Sequence, residues 1–202
     1  MPYNNQMTNR SVRQVVKVSI GGSAIRLQLS NELSSEPVEI TSVYVAKAEE
    51  GAEIQKNSAR YLQFSGKRQV TIPAGKAVFS DALKFDLLPL ERLSITINYL
   101  KAPKKPTVHM GSRTTSYILR GVTNANTDFS TAFKEDHWFN ISAIDVLDAN
   151  ASSVAILGNS ITDGKGCVTN AQDRWSDFMS AVLNGENGSD MQKTGVLNLG
   201  IG

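Results

Sequence analysis

From Val12 to about Val146 apolar residues return at every second position, the spacing of strands that turn one face to a core. Val16, Val18 and Ile20 alternate with polar residues, Gly21-Gly22-Ser23 supplies a turn, and Ile25, Leu27 and Leu29 alternate again as far as Asn31, which predicts a hairpin. Similar runs follow at Val38/Ile40, Val43/Val45, Tyr61 to Phe64, Val70/Ile72, Val78 to Leu87, Leu93 to Tyr99, Thr115 to Leu119 and Phe139 to Val146. Ser-Gly, Pro-Ala-Gly and Asn-rich segments punctuate them. Many short strands without a helical stretch predict a jelly-roll-like β-sandwich domain over residues 1–150, with no helix of ten or more residues between positions 12 and 100.

The pattern changes at Ala149-Asn150-Ala151-Ser152-Ser153. Val154-Ala155-Ile156-Leu157 is a continuous apolar run closed by Gly158, as expected of a parallel strand buried on both faces. Thr169 to Gln172 has the spacing of a capping box, and behind it Trp175, Phe178, Met179, Val182 and Leu183 recur on one helix face. Val196-Leu197-Asn198-Leu199 is a second apolar strand. Strand, helix and strand make one βαβ unit, too small to cover its own sheet, so residues 151–202 are expected to be the N-terminal part of an incomplete α/β domain.

Composition narrows the function. The 202 residues carry a formal charge of only +2, too weak a field to hold nucleic acid or an anionic membrane, and Lys101 to Lys105 is expected to be a solvated linker. A single cysteine, Cys167, removes disulfide frameworks and Cys-x-x-Cys sites, and two histidines, His109 and His137, remove His-rich metal centres. No cofactor and no metal is implied. No run approaches the ~18 apolar residues of a membrane span, and the polar opening Met1 to Gln6 has no signal-peptide character.

Chemistry concentrates at Gly158-Asn159-Ser160-Ile161-Thr162-Asp163-Gly164, where a parallel strand ends. Open α/β sheets place ligands at such ends, and a serine there exposes its hydroxyl while its own N–H faces a developing oxyanion. A phosphate loop fails on spacing, because five residues separate Gly158 from Gly164 and Gly166 stands where a Ser or Thr is needed. On spacing alone, Ser160 as a simple helix cap stays open beside Ser160 as a nucleophile.

Ala155 to Gly164 resembles the first conserved block of the SGNH (GDSL-like) hydrolases, which are serine esterases, lipases and carbohydrate deacetylases. Arg174-Trp175 and then Val196 to Gly202 resemble the next stretch of bacterial members. Ser11 to Val16, Ser19 to Ser23, Arg26 to Asn31 and Thr114 to Tyr117 are similar to the β-rich N-terminal region of one bacterial subgroup. The resemblance implies a flavodoxin-like αβα parallel sheet after the sandwich, with Ser160 as nucleophile and its backbone N–H as one oxyanion donor. It places a second donor five residues after Asn198, one position past Gly202. A Gly-x-Asn-Asp block and the activating Asp-x-x-His have no counterpart in this sequence. Asn159 stands where the family carries Asp, keeping a side-chain acceptor and losing the charge. Against that pattern His109, His137 and Cys167 are expected to be structural, Trp175 to lie in the core of its helix face, and the Asn140-Ile141-Ser142 sequon to carry no meaning in a bacterial protein.

The function implied is a serine esterase acting on a small acyl ester, such as an acetylated carbohydrate, through an acyl-serine intermediate. Its partners would be that substrate and the remainder of the SGNH domain, in the same gene or as a second chain, and its place secreted or periplasmic. The alternative is a carbohydrate-binding or interaction module of β-sandwich type whose α/β remnant is catalytically incomplete.

Overall fold

β-branched and aromatic residues set between turn residues fold here as fifteen strands, in a computed structural model that describes residues 7–185 and 193–202. The polar opening Met1 to Gln6 lies outside the described residues. The first strands are β1 (Arg10–Lys17), β2 (Gly22–Ser30) and β3 (Val38–Lys47). A 3-10 turn at Lys56–Ser58 leads to β4 (Arg60–Tyr61), β5 (Val70–Ile72), β6 (Ala77–Phe79), β7 (Leu83–Leu87) and β8 (Arg92–Lys101). β9 (Val108–Met110), β10 (Ser116–Arg120), β11 (Phe133–Glu135), β12 (His137–Phe139) and β13 (Ile141–Val146) complete the antiparallel part. Last come β14 (Ser152–Gly158), α1 (Ser160–Asp163), α2 (Trp175–Asn184) and β15 (Thr194–Gly200).

The larger sheet runs β11-β10-β1-β8-β3-β4, with β5 also on β3, and the smaller runs β13-β2-β6, with β7 also on β2. Every pairing in both is antiparallel. Val12, Ile95 and Ile97 from the larger sheet share one core with Ile25, Leu27 and Leu29 from the smaller. Each such side chain contributes roughly 1.5–3 kcal/mol by leaving water. This explains a departure from the expected hairpin. β1 and β2 do not pair; the Gly-Gly segment carries the chain from one sheet to the other, so both alternating runs meet across the core instead of side by side.

The outer face of the larger sheet is also covered. Tyr44, Ala46 and Ile54 form one small cluster there, and Tyr117, Phe129 and Ala132 another. Polar residues on that face are consequently buried and bonded: Asn98 donates to Ser42 Oγ at 2.8 Å and to the Thr123 carbonyl at 3.0 Å, and accepts from Ser11 and from the Thr123 N–H. Between 12 and 100 the only helical element among the described residues is the three-residue 3-10 turn.

The second part departs from the flavodoxin-like αβα sheet that the resemblance implies. The protein is mostly strand, in several antiparallel sheets, and its parallel component among the described residues is the single pair β14–β15, in register from Ser152↔Thr194 to Gly158↔Gly200. A layered α/β sheet needs several parallel strands with helices over both faces. Here two helices, of four and ten residues, accompany two strands, and the apolar run expected to be buried is open: Leu157 is 79% exposed. The capping box moves as well. Thr169 and Gln172 bond to Asp136 and Thr114 of the sandwich, and Gln172 has a left-handed φ of 53°, so α2 starts only at Trp175, with Asp177 accepting the Arg174 N–H at 3.1 Å. The residues α2 buries are Ser176 and Ser180, whereas Trp175, Phe178 and Val182 are exposed rather than core.

Candidate active site

α1 is a single turn laid across the carboxyl ends of β14 and β15, and glycine at both strand ends makes that possible. A Cβ at Gly158 would overlap Thr162 Oγ1, and one at Gly200 would overlap the Asp163 backbone N. Asn159 caps the turn: its backbone is extended, and its side-chain oxygen accepts the Ile161 N–H at 3.0 Å. The amide thus does for the loop what a carboxylate acceptor does, without a charge. Asn198 of β15 ties the pieces together, donating to the Thr162 carbonyl at 2.6 Å and to Ser176 Oγ of α2 at 2.8 Å.

Ser160 opens α1, half-buried, at the carboxyl end of β14. Its hydroxyl has no hydrogen-bond partner among the described residues, and neither does its backbone N–H, which as the first of the helix has no carbonyl one turn back. Its carbonyl is used, accepting from Gly164 N at 3.1 Å and Lys165 N at 2.7 Å. Both groups that an acyl transfer needs from this residue, hydroxyl and N–H, are unoccupied, while its backbone is fixed.

The sandwich reaches this turn from the other side. β9 and β12 form a two-stranded ribbon in which His109 lies opposite Trp138, their rings 5.9 Å apart. Gln14 of β1 anchors β12, its amide donating to the Phe139 carbonyl at 3.1 Å and accepting the Phe139 N–H, while Trp138 Nε1 donates to the Val15 carbonyl at 3.1 Å. From this ribbon His109 Nε2 meets Asp163 Oδ1 at 2.9 Å. Arg113, in the loop after β9, donates to the Gly164 carbonyl at 3.1 Å, and Arg174 donates to the Asp163 carbonyl at 3.1 Å. Arg174 also reaches the Ser112 carbonyl and lies with its guanidinium 5.6 Å from the Trp138 ring centre.

The remaining candidates are accounted for. His137 opens β12 and accepts the Gly111 N–H from the turn after β9 at 3.3 Å, with Nε2 3.9 Å from Glu135. Cys167 donates to the Asp173 carbonyl, and burial, then the neighbouring Asp173 carboxylate, pushes its thiol above the ordinary value, so thiolate is scarce at neutral pH. Among the described residues no group of three or more His, Cys, Asp or Glu is placed to hold a metal ion, and no helix is long and apolar enough to cross a membrane. Sequence reading singled out Ser160, placed Asp163 in the same loop and Arg174 at the start of the helix, and set His109 aside as structural; it did not name Arg113. The one available signal was Asp177 three residues after Arg174, a charged N-terminal pair that marks where α2 begins. No family model matches the chain, and no curated protein matches it.

Proposed function

We propose that this chain carries the nucleophile of a serine acyl-ester hydrolase of the SGNH type. The observation that carries the reading is Ser160: its hydroxyl and N–H both unpaired, on a turn pinned by Gly158, Asn159 and Gly200 at the carboxyl ends of two parallel strands. The motif resemblance of Ala155 to Gly164 supports the same assignment.

In the reaction, Ser160 Oγ bonds to the ester carbonyl carbon as its proton passes to a general base. The carbonyl oxygen becomes an oxyanion that accepts from the Ser160 N–H. The carbon–oxygen bond to the alcohol then breaks, the leaving oxygen takes the proton, and water hydrolyses acyl-Ser160 to the free acid. The resemblance assigns the base to a histidine of an Asp-x-x-His block, which residues 1–202 do not contain. General-base help of this kind is worth typically ~10²–10⁴-fold. A small acyl ester, such as an acetylated carbohydrate, is the substrate class that the resemblance implies.

The test is hydrolysis of a p-nitrophenyl acyl ester by the intact protein. Ser160→Ala is expected to abolish turnover and leave the thermal unfolding midpoint in place. Unchanged turnover in that variant contradicts the reading and leaves the β-rich body as a binding or interaction module.

A further inference from the structure

We infer that His109, supplied by the β-rich body, is a positioning residue for Ser160: through Asp163 it locks the only turn of α1. The inference rests on the proposed role of Ser160. α1 has four residues, too few to hold itself as a helix, so contacts from outside decide where it sits. Its first end is held by Asn159 and by glycine packing against the strands. Two segments bring side chains to its last end: β9 with the loop after it supplies His109, on the Asp163 carboxylate at 2.9 Å, and Arg113, on the Gly164 carbonyl at 3.1 Å, and the start of α2 supplies Arg174, on the Asp163 carbonyl at 3.1 Å.

The two arginines bond backbone atoms that any sequence would present. His109 alone reads a side chain. Asp163 is three residues after Ser160, hence on the same side of this single turn, so a swing of Asp163 moves Ser160 with it. His109 is itself rigid, fixed opposite Trp138 in the β9–β12 ribbon, and that ribbon is fastened to β1 by Gln14 and by Trp138 Nε1. Arg113 and Arg174 bond the backbone carbonyls at this end, and Arg174 also holds Asp177 through its backbone N–H and its guanidinium. A continuous bonded path therefore leads from the sandwich core to the nucleophile, and it makes the β-rich body part of the catalytic apparatus.

The experiment uses a fluorophosphonate probe and p-nitrophenyl ester turnover on the intact protein, with amide hydrogen exchange over residues 158–164 as a readout independent of activity. Displacing a reacting atom by ~1 Å costs up to ~10²-fold, so His109→Ala is expected to slow Ser160 labelling and kcat by about 10-fold or more with little change in KM, and to speed exchange in α1. His109→Gln, whose amide still donates to Asp163, is expected to recover most of the rate. In an Asp163→Ala background His109→Ala should add little, because the two act as one unit. Wild-type labelling and exchange in His109→Ala, no recovery in His109→Gln, or fully additive effects overturn the inference. Labelling that persists in Ser160→Ala overturns the nucleophile assignment instead, and the exchange data then still report whether His109 holds α1.

Discussion

Arg13 is the largest side chain among those the protein buries almost completely, at 2% exposure, and among the described residues no carboxylate lies within ion-pair distance of it. Its guanidinium is satisfied by neutral acceptors: the Ala52 carbonyl at 2.7 Å, Tyr44 OH at 3.1 Å and Thr96 Oγ1 at 3.2 Å, with the Phe129 ring centre 3.8 Å away. Five donors in a flat fork fit this arrangement, and a lysine ammonium does not. Arg13→Ala leaves a cavity and unpaired acceptors and is expected to lower the unfolding free energy by about 3 kcal/mol or more, with Arg13→Lys also destabilising. Denaturant unfolding checks this, and a loss under about 0.5 kcal/mol for the alanine variant would show that the fork is dispensable. At the same scale, Ser160 and His109 differ in how legible they are. The turn that carries Ser160, between Gly158 and Gly164 at the end of an apolar run, is legible because local spacing defines it; that spacing by itself leaves a helix cap open beside a nucleophile. A histidine whose partner lies 54 positions away is not, since the contact exists only once β9 has paired with β12.

Among the elements, β15 gives the sharpest contrast. Gly200 faces the backbone of Asp163, with no room for a methyl group, whereas a Cβ at Gly195 in the same strand finds its nearest neighbours at 3.6 Å. Gly200→Ala is expected to push α1 off the strand ends and slow fluorophosphonate labelling of Ser160 by about 10-fold or more, while Gly195→Ala labels within about twofold of wild type. Equal rates in the two variants would mean that α1 is not set by its seat on β15. Strand existence was readable from alternation, which β3, β8 and β13 display openly. Strand pairing was not. The alternation of β1 and β2 says that each has an inward face, and two sheets facing one core satisfy that as well as a hairpin does. The start of α2 was misplaced for a related reason: tertiary bonds from Thr169 and Gln172 to the sandwich outbid the local capping pattern.

For the molecule as a whole, the β-rich body and the β14–β15 unit are joined through polar contacts. Asn170 alone contributes three, accepting from Thr115 N at 2.8 Å, donating to Thr115 Oγ1 at 2.9 Å and giving its N–H to the Arg113 carbonyl at 2.9 Å. The apolar residues of the smaller unit are therefore not consumed by this junction. Phe178 is 63% and Val182 75% exposed, and with Leu157, Leu199 and Ile201 they add to the apolar surface of this unit. Phe178→Ser with Val182→Ser is expected to reduce self-association of residues 1–202, measured by light scattering against concentration, while leaving the thermal midpoint within about 2 °C. The two apolar runs predicted a βαβ unit with two parallel strands, and the flavodoxin-like sheet that the resemblance implied around it was not found. Apolar runs report that a strand favours burial, and they do not supply the strands and helices that would bury it.

The central claim is that Ser160 is the nucleophile of an acyl-ester hydrolase, and covalent capture tests it most directly. The intact protein is treated with a fluorophosphonate, digested, and the adduct located by mass spectrometry. The account predicts one adduct, on the Ser160 hydroxyl, absent from Ser160→Ala; an adduct on another residue, or none on the active protein, would contradict it.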